Sequence, residues 1–148
     1  MRSTCLLSTL LLSTLLACGA PGSPGPGADP RPDVPAPLPV TRTLARSVSA
    51  TFDAGTNYGF GFAVPSSASV SFSASQTTTD TWNVALFSAK QWADYQAGTS
   101  NLAYGGIHNN VMQAADRVQL PAGDWYLGFH CNNVFQRCML VFSLDATY

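Results

Sequence analysis

Residues Pro121–Asp145 read PAGDWYLGFHCNNVFQRCMLVFSLD, and two strands with a turn before them are legible in that run. Pro121-Ala122-Gly123-Asp124 has the composition of a turn. From Trp125 to Cys131, and again from Cys138 to Asp145, apolar residues recur at every second position, which is the period of a half-buried strand. The two runs end and begin in cysteine. If Cys131 faces Cys138 in an antiparallel pair, Phe129 stands opposite Leu140, Leu127 opposite Phe142 and Trp125 opposite Leu144, and every pair is apolar. The other face then carries Tyr126 with Ser143, Gly128 with Val141 and His130 with Met139, a mixed surface. A slip of one residue would destroy that segregation. The expectation is a disulfide across neighbouring strands, contributing about 2–2.5 kcal/mol because the loop it closes is short.

The same alternation extends upstream. Val48, Ala50 and Phe52 alternate with Ser and Thr; Tyr58, Phe60, Phe62 and Val64 alternate with Gly and Ala; Val70 and Phe72 alternate with Ser. Trp82, Val84 and Leu86 alternate with Asn83, Ala85 and Phe87, and Val111–Leu120 holds one or two weaker strands. One helix interrupts the pattern near residues 89–97. Ser88 and Gln91 form an S-x-x-Q capping box, Phe87 and Trp92 stand at hydrophobic-staple spacing, and Gly98 supplies the left-handed stop. Trp92 and Tyr95, three residues apart, share one face of that helix and are expected to pack it. About eight short strands with one small helix make the fold all-β, an antiparallel β-sandwich of jelly-roll type.

Composition agrees. The chain has no Glu, a single Lys (Lys90) and abundant Ser, Thr, Gly and aromatic residues, which favours strands over long surface helices. No run of like charge exists, so nucleic acid is not an expected partner.

The N-terminus is different in kind. Arg2 gives a short positive region, and Cys5–Leu16 is an apolar stretch well below the roughly 20 residues of a membrane span. It ends in Leu15-Leu16-Ala17-Cys18-Gly19, which resembles the bacterial lipoprotein box. That resemblance implies a signal peptide over residues 1–17, with Cys18 carrying diacylglycerol and becoming the new N-terminus. The membrane would then be a partner through the lipid anchor. Gly19 in the second mature position resembles residues that permit export to an outer membrane; with a single membrane, its outer face is implied. Residues 19–39 hold eight Pro and four Gly in twenty-one positions and cannot build a core. Residues 18–39 are therefore expected to be a tether, reaching on the order of 65 Å in a polyproline conformation, and residues 40–148 the folded domain. With Cys5 removed and Cys18 lipidated, Cys131 and Cys138 remain as an even pair in an oxidising compartment.

Within the domain, Phe62-Ala63-Val64-Pro65-Ser66-Ser67-Ala68-Ser69-Val70-Ser71-Phe72 and Leu120-Pro121-Ala122-Gly123-Asp124-Trp125-Tyr126-Leu127 resemble two passages of bacterial pre-peptidase C-terminal domains. Thr81–Phe87 occupies the place of an intervening strand, and the resemblance covers about Tyr58–Leu144. It implies a secreted accessory β-sandwich that binds or spaces. The chain departs from the family at Ser66-Ser67, where Gly is usual, and keeps only Asp80 of an acidic cluster, which undercuts a calcium role.

Catalytic signatures are missing from the residues themselves. Asp29 and Asp33 fall in the tether, and the other six Asp stand singly beside turns and caps, where they normally bond nearby backbone. There is no G-x-S-x-G elbow, and His108 and His130 are isolated from each other, with no nearby carboxylate or Cys motif of the kind that holds zinc. No catalytic residue, metal ligand or cofactor is therefore assigned. The candidate binding residues are Tyr104, His108 and Asn109 in an apparent loop over 104–110, Tyr126 and His130 on the mixed face, and Asn132, Phe135 and Arg137 in the loop over 132–137. They suit a glycan, a peptide or an envelope protein. The reading is a tethered, non-catalytic binding module, with a structural envelope lipoprotein acting by self-association or through a partner protein as the alternative. An enzyme stands third.

Overall fold

The structure is a computed structural model describing residues 37–148. The signal-peptide reading of residues 1–17, the lipidation of Cys18 and the tether reading up to residue 36 lie outside the described residues. The elements in order are β1 (Thr41–Phe52), β2 (Asn57–Val64), β3 (Ala68–Gln76), β4 (Trp82–Ser88), α1 (Ala89–Gln96), β5 (Gly105–Val111), β6 (Gln113–Leu120), β7 (Gly123–Cys131) and β8 (Cys138–Thr147). They build two antiparallel sheets of four strands, ordered β1-β8-β3-β6 and β2-β7-β4-β5. Every connection crosses from one sheet to the other except β4–β5, which α1 spans. That order is the jelly roll.

Alternation places the core. In β3, Ala68, Val70, Phe72 and Ala74 turn inward and the intervening serines outward. Tyr58, Phe60 and Phe62 of β2 pack against the same core, while Gly59 and Gly61 face away from it. The two ends of the domain meet, since the Val40 and Tyr148 backbones exchange hydrogen bonds in both directions.

The Cys131–Cys138 disulfide is present, with the two Cα atoms 5.6 Å apart. The strand pairing expected around it is not. β7 pairs with β2 and β4, and β8 with β1 and β3, so the two cysteines stand on separate sheets. Trp125, Leu127 and Phe129 are buried, and so are Leu140, Phe142 and Leu144, but these faces meet across the interior of the sandwich instead of side by side. Phe129 and Phe142 have ring centroids 5.4 Å apart there. The physical reason is that alternation identifies the buried face of a strand and is blind to its partner. A matching face suits a neighbour about 4.8 Å away in one sheet or an opposing strand about 10 Å away in the other. One consequence is a second correction. Tyr126 and His130 face outward from one sheet and Met139 from the other, so they form no common surface.

The helix follows its sequence signals. Ser88 Oγ accepts from the Gln91 N–H, and Gln91 Oε1 accepts from the Ser88 N–H, completing the capping box. Phe87 meets Trp92 with centroids 5.4 Å apart, and Gly98 adopts φ 68° as the chain leaves the helix. Trp92 is 5% exposed, yet it lies outside the main core, in a small cluster with Ala85 and Phe87 on the outer face of the second sheet. It fits there because Gly59 and Gly128, paired across β2 and β7, present no side chain. A Cβ at Gly59 would come 2.4 Å from Trp92 Cζ2, and one at Gly128 2.5 Å from Cζ3. The ring thus lies in a slot made by two glycines, with Tyr126 stacked beside it at 5.7 Å.

A third correction concerns residues 104–110. Gly105–Val111 forms the edge strand β5 instead of a loop. Its register against β4 shifts twice, and Gly106 and Asn110 take left-handed φ values of 61° and 54°. Gly and Asn are what a bulged edge strand needs, and by composition they read as loop.

Candidate ligand-binding groove

Helix α1 covers part of the outer face of the second sheet, over the band of glycines, and leaves the remainder open. At the edge of the covered part is a groove of about 420 Å³, within the range of small-molecule sites. Its floor is Ala85 and Gly128, a cross-strand pair with almost no side chain. Tyr95 of the helix, with Asn101 and Ala103 from the segment after it, forms one wall. Asn83, Ile107, Asn109 and His130 complete the rim.

Two of the polar members, His130 and Asn83, lie on one register line. Asn57 of β2 pairs with His130 of β7, which pairs with Asn83 of β4, and Asn109 of β5 faces the same groove. Asn57 Oδ1 lies 2.7 Å from His130 Nδ1. An amide oxygen only accepts, so Nδ1 carries the proton, and in the neutral ring Nε2 keeps a lone pair. Asn83 Oδ1 accepts twice, from the Asn110 backbone N–H at 2.9 Å and from Asn132 Nδ2 at 2.9 Å. Asn132 Nδ2 also donates to Asn110 Oδ1 at 3.0 Å. The oxygen of Asn83 is thereby saturated and its NH₂ is left to donate elsewhere. Asn110, a non-glycine residue in the left-handed region, is held there by these bonds, and the bulge it makes adjoins Asn109. Burial pushes the Tyr95 phenol above its ordinary range, so it remains a neutral hydroxyl. Among the described residues no Asp, Glu, Lys or Arg lines the groove.

Of the residues singled out from sequence, the groove collects Asn109 and His130. Asn132 braces it from behind through Asn83 and Asn110. The others lie elsewhere. Tyr104 packs edge-on against Trp125 at 4.7 Å, near the opposite end of β5 from Asn109. His108 turns inward, where Nε2 lies 3.3 Å from Asp116 Oδ2 of the facing sheet, a carboxylate partner that sequence adjacency did not reveal. Tyr126 is half-covered by Trp92. Phe135 stands 91% exposed on the 132–137 loop, and Arg137 donates to Asp53 at 2.8 Å. Sequence reasoning missed Asn83, Tyr95 and Asn101. Asn83 alone carried a signal, being the one strongly polar residue in the run Trp82–Phe87.

A second depression, about 460 Å³, lies on the outer face of the other sheet over Ser73, Ser75, Ala115 and Ser143. It is more open, and the one aromatic residue that lines it, Phe142, is buried in the core. Among the described residues, no group of three or more His, Cys, Asp or Glu could hold a metal ion.

No protein-family model matches the chain, and no curated protein matches its sequence. Among solved structures, it is similar to the pre-peptidase C-terminal domain of a collagenase from Bacillus anthracis, at 12% identity and a TM-score of 0.51, over 68% of this chain and 89% of that one. A structure from infectious bursal disease virus, Gx strain, matches at 12% identity and a TM-score of 0.35, over 84% of this chain and 36% of that one. The first likeness shows the fold, a β-sandwich of the pre-peptidase C-terminal kind.

Proposed function

We propose that the chain is an exported lipoprotein, held to the cell envelope through lipid on Cys18, whose β-sandwich serves as a non-catalytic binding or accessory module. The groove beside α1 carries this reading. Its rim combines a line of neutral amides and an imidazole with an aromatic wall over a bare floor, which is the composition of a site that holds a ligand by shape and a few directed bonds. Support for the anchor is Leu15-Leu16-Ala17-Cys18-Gly19 followed by the Pro-rich run. Catalysis gains no support from the groove, which contains no carboxylate, cysteine or serine. The location is the outer membrane where the organism has one, and otherwise the outer face of the cytoplasmic membrane.

Two experiments test the two halves. Cys18→Ser should abolish labelling by a radioactive fatty acid and leave an unprocessed precursor; a labelled, membrane-bound Ser variant would refute the anchor. For the module, envelope material retained by the full chain should be lost on Asn109→Trp, which fills the groove from an exposed position. Retention unchanged by that variant would move the site elsewhere. One observation favours the alternative of assembly through a partner protein: Val134 and Phe135 stand 71% and 91% exposed on the disulfide-closed loop. Val134→Ser with Phe135→Ser would abolish retention in that case and leave it intact otherwise.

A further inference from the structure

We infer that the groove binds a neutral saccharide, and that His130 and Asn83 read its hydroxyls. This rests on the binding-module reading above and narrows it to one ligand class. The argument is one of charge, hydrogen-bond sense and shape together. No ionised side chain among the described residues lines the groove, so an anionic ligand would find no counter-charge and a cationic one no carboxylate. Bringing either in from water without a partner is unfavourable. A peptide could use the amides, but β5, the edge strand at the rim, is bulged, with left-handed residues at Gly106 and Asn110, and the floor of Ala85 and Gly128 lies on the interior strands β4 and β7.

A sugar hydroxyl both donates and accepts, and the groove presents both senses close together. His130 has Nδ1 committed to Asn57, leaving Nε2 as an acceptor in the neutral ring. Asn83, paired with His130 across the strands, has its oxygen committed to Asn110 and Asn132 and keeps its NH₂ as a donor. These two side chains are fixed by bonds to protein before any ligand arrives, which lowers the ordering cost of binding. Asn109 adds a second amide at the rim. Tyr95, stacked on Trp92 at 5.8 Å, supplies a braced aromatic wall against which the C–H face of a pyranose ring can lie. A pyranose thus finds an apolar wall and polar edge groups in the same places where it has an apolar face and a polar rim.

The test uses the full chain purified in mild detergent. It is applied to an array of neutral hexasaccharides of glucose, mannose, galactose and N-acetylglucosamine, with oligogalacturonate as the anionic control and a displayed random-peptide library in parallel. Affinities are measured by titration calorimetry. The expected result is binding to at least one neutral series and none to oligogalacturonate. His130→Ala and Asn83→Ala should each weaken it at least tenfold, and Asn109→Trp should abolish it at an unchanged melting temperature. Asn83→Ala also removes bonds that brace the bulge, so Asn109→Trp, an exposed substitution, keeps the test valid if Asn83→Ala unfolds. Binding to oligogalacturonate alone, or binding to neutral sugar that all three variants retain, overturns the inference. Selected peptides whose binding is lost on Asn109→Trp, with no sugar bound, would leave the groove as a binding site and reject the saccharide. If neither sugars nor peptides respond to Asn109→Trp, both readings fall.

Discussion

At the scale of single residues, contacts around Trp92 make the strongest predictions. Ser88→Ala removes the hydroxyl that accepts from the Gln91 N–H and should cost about 1 kcal/mol in denaturant unfolding. Trp92→Ala empties the glycine slot and should cost about 3–5 kcal/mol. Gly59→Ala pushes a methyl into the indole and should cost about 1–3 kcal/mol by overpacking. The same Gly59→Ala should cost almost nothing in a Trp92→Ala background, because the three atoms nearest the added carbon all belong to that ring. A double-mutant cycle reads the difference; equal costs in the two backgrounds would mean that the ring does not lie over Gly59. Tyr95 adds a pH dependence. Its folded-state pKa is raised by desolvation above the ordinary value of 10.0, so its contribution to stability is intact below about 10 and is lost as pH rises through the raised value. Tyr95→Phe should flatten the alkaline limb of a stability–pH curve.

At the scale of elements, what could be read in advance was the face of each strand and the ends of the helix, because both are local. A capping residue and its partner three positions on are in the sequence side by side, and so is a two-residue alternation. Partnership is not local. Trp125, Leu127 and Phe129 announce a buried face, and nothing in their spacing says whether Leu144, Phe142 and Leu140 lie beside them or opposite. β5 was illegible for another reason: an edge strand with two left-handed residues has the composition of a loop, and its pairing with β4 alone makes it a strand. The groove draws on β4, β5, β7, the helix and the segment after it, so only Asn109 and His130 surfaced as candidates. The disulfide prediction survives with a changed meaning, since the bond now ties two sheets. Cys131→Ala with Cys138→Ala should lower stability by about 2–2.5 kcal/mol and leave the fold intact. Thiol titration of the unreduced protein should find neither cysteine reactive, and reactive thiols at both would show the bond unformed.

At the scale of the whole domain, the strand directions separate two ends. β1 starts at Thr41 beside Thr147 and finishes at Phe52 beside Cys138. The chain therefore enters the sandwich at one end, and the disulfide, the 132–137 loop and the 53–56 turn lie at the other. At about 3.3 Å per residue, the ten residues of β8 that run between these ends separate them by roughly 30 Å. Phe135 lies at the end of the sandwich opposite Thr41. Cutting the Pro-rich run from residues 19–39 down to a few residues should leave lipidation and folding unchanged while lowering access of an antibody to the groove on intact cells. Undiminished access would show that the tether contributes nothing to presentation.

The pairing of β1 also sets an order in time. Among the described residues its only neighbour in the sheet is β8, so the first of the described strands to be made waits for the last. If the chain is threaded across a membrane from its N-terminus, residues 41–52 emerge before 138–147 and find no partner until these have followed. The sandwich closes late and all at once, when the ten residues of β8 arrive. A chain stopped at Arg137 should accumulate as an unfolded, protease-sensitive species, although seven of the eight strands among the described residues are present.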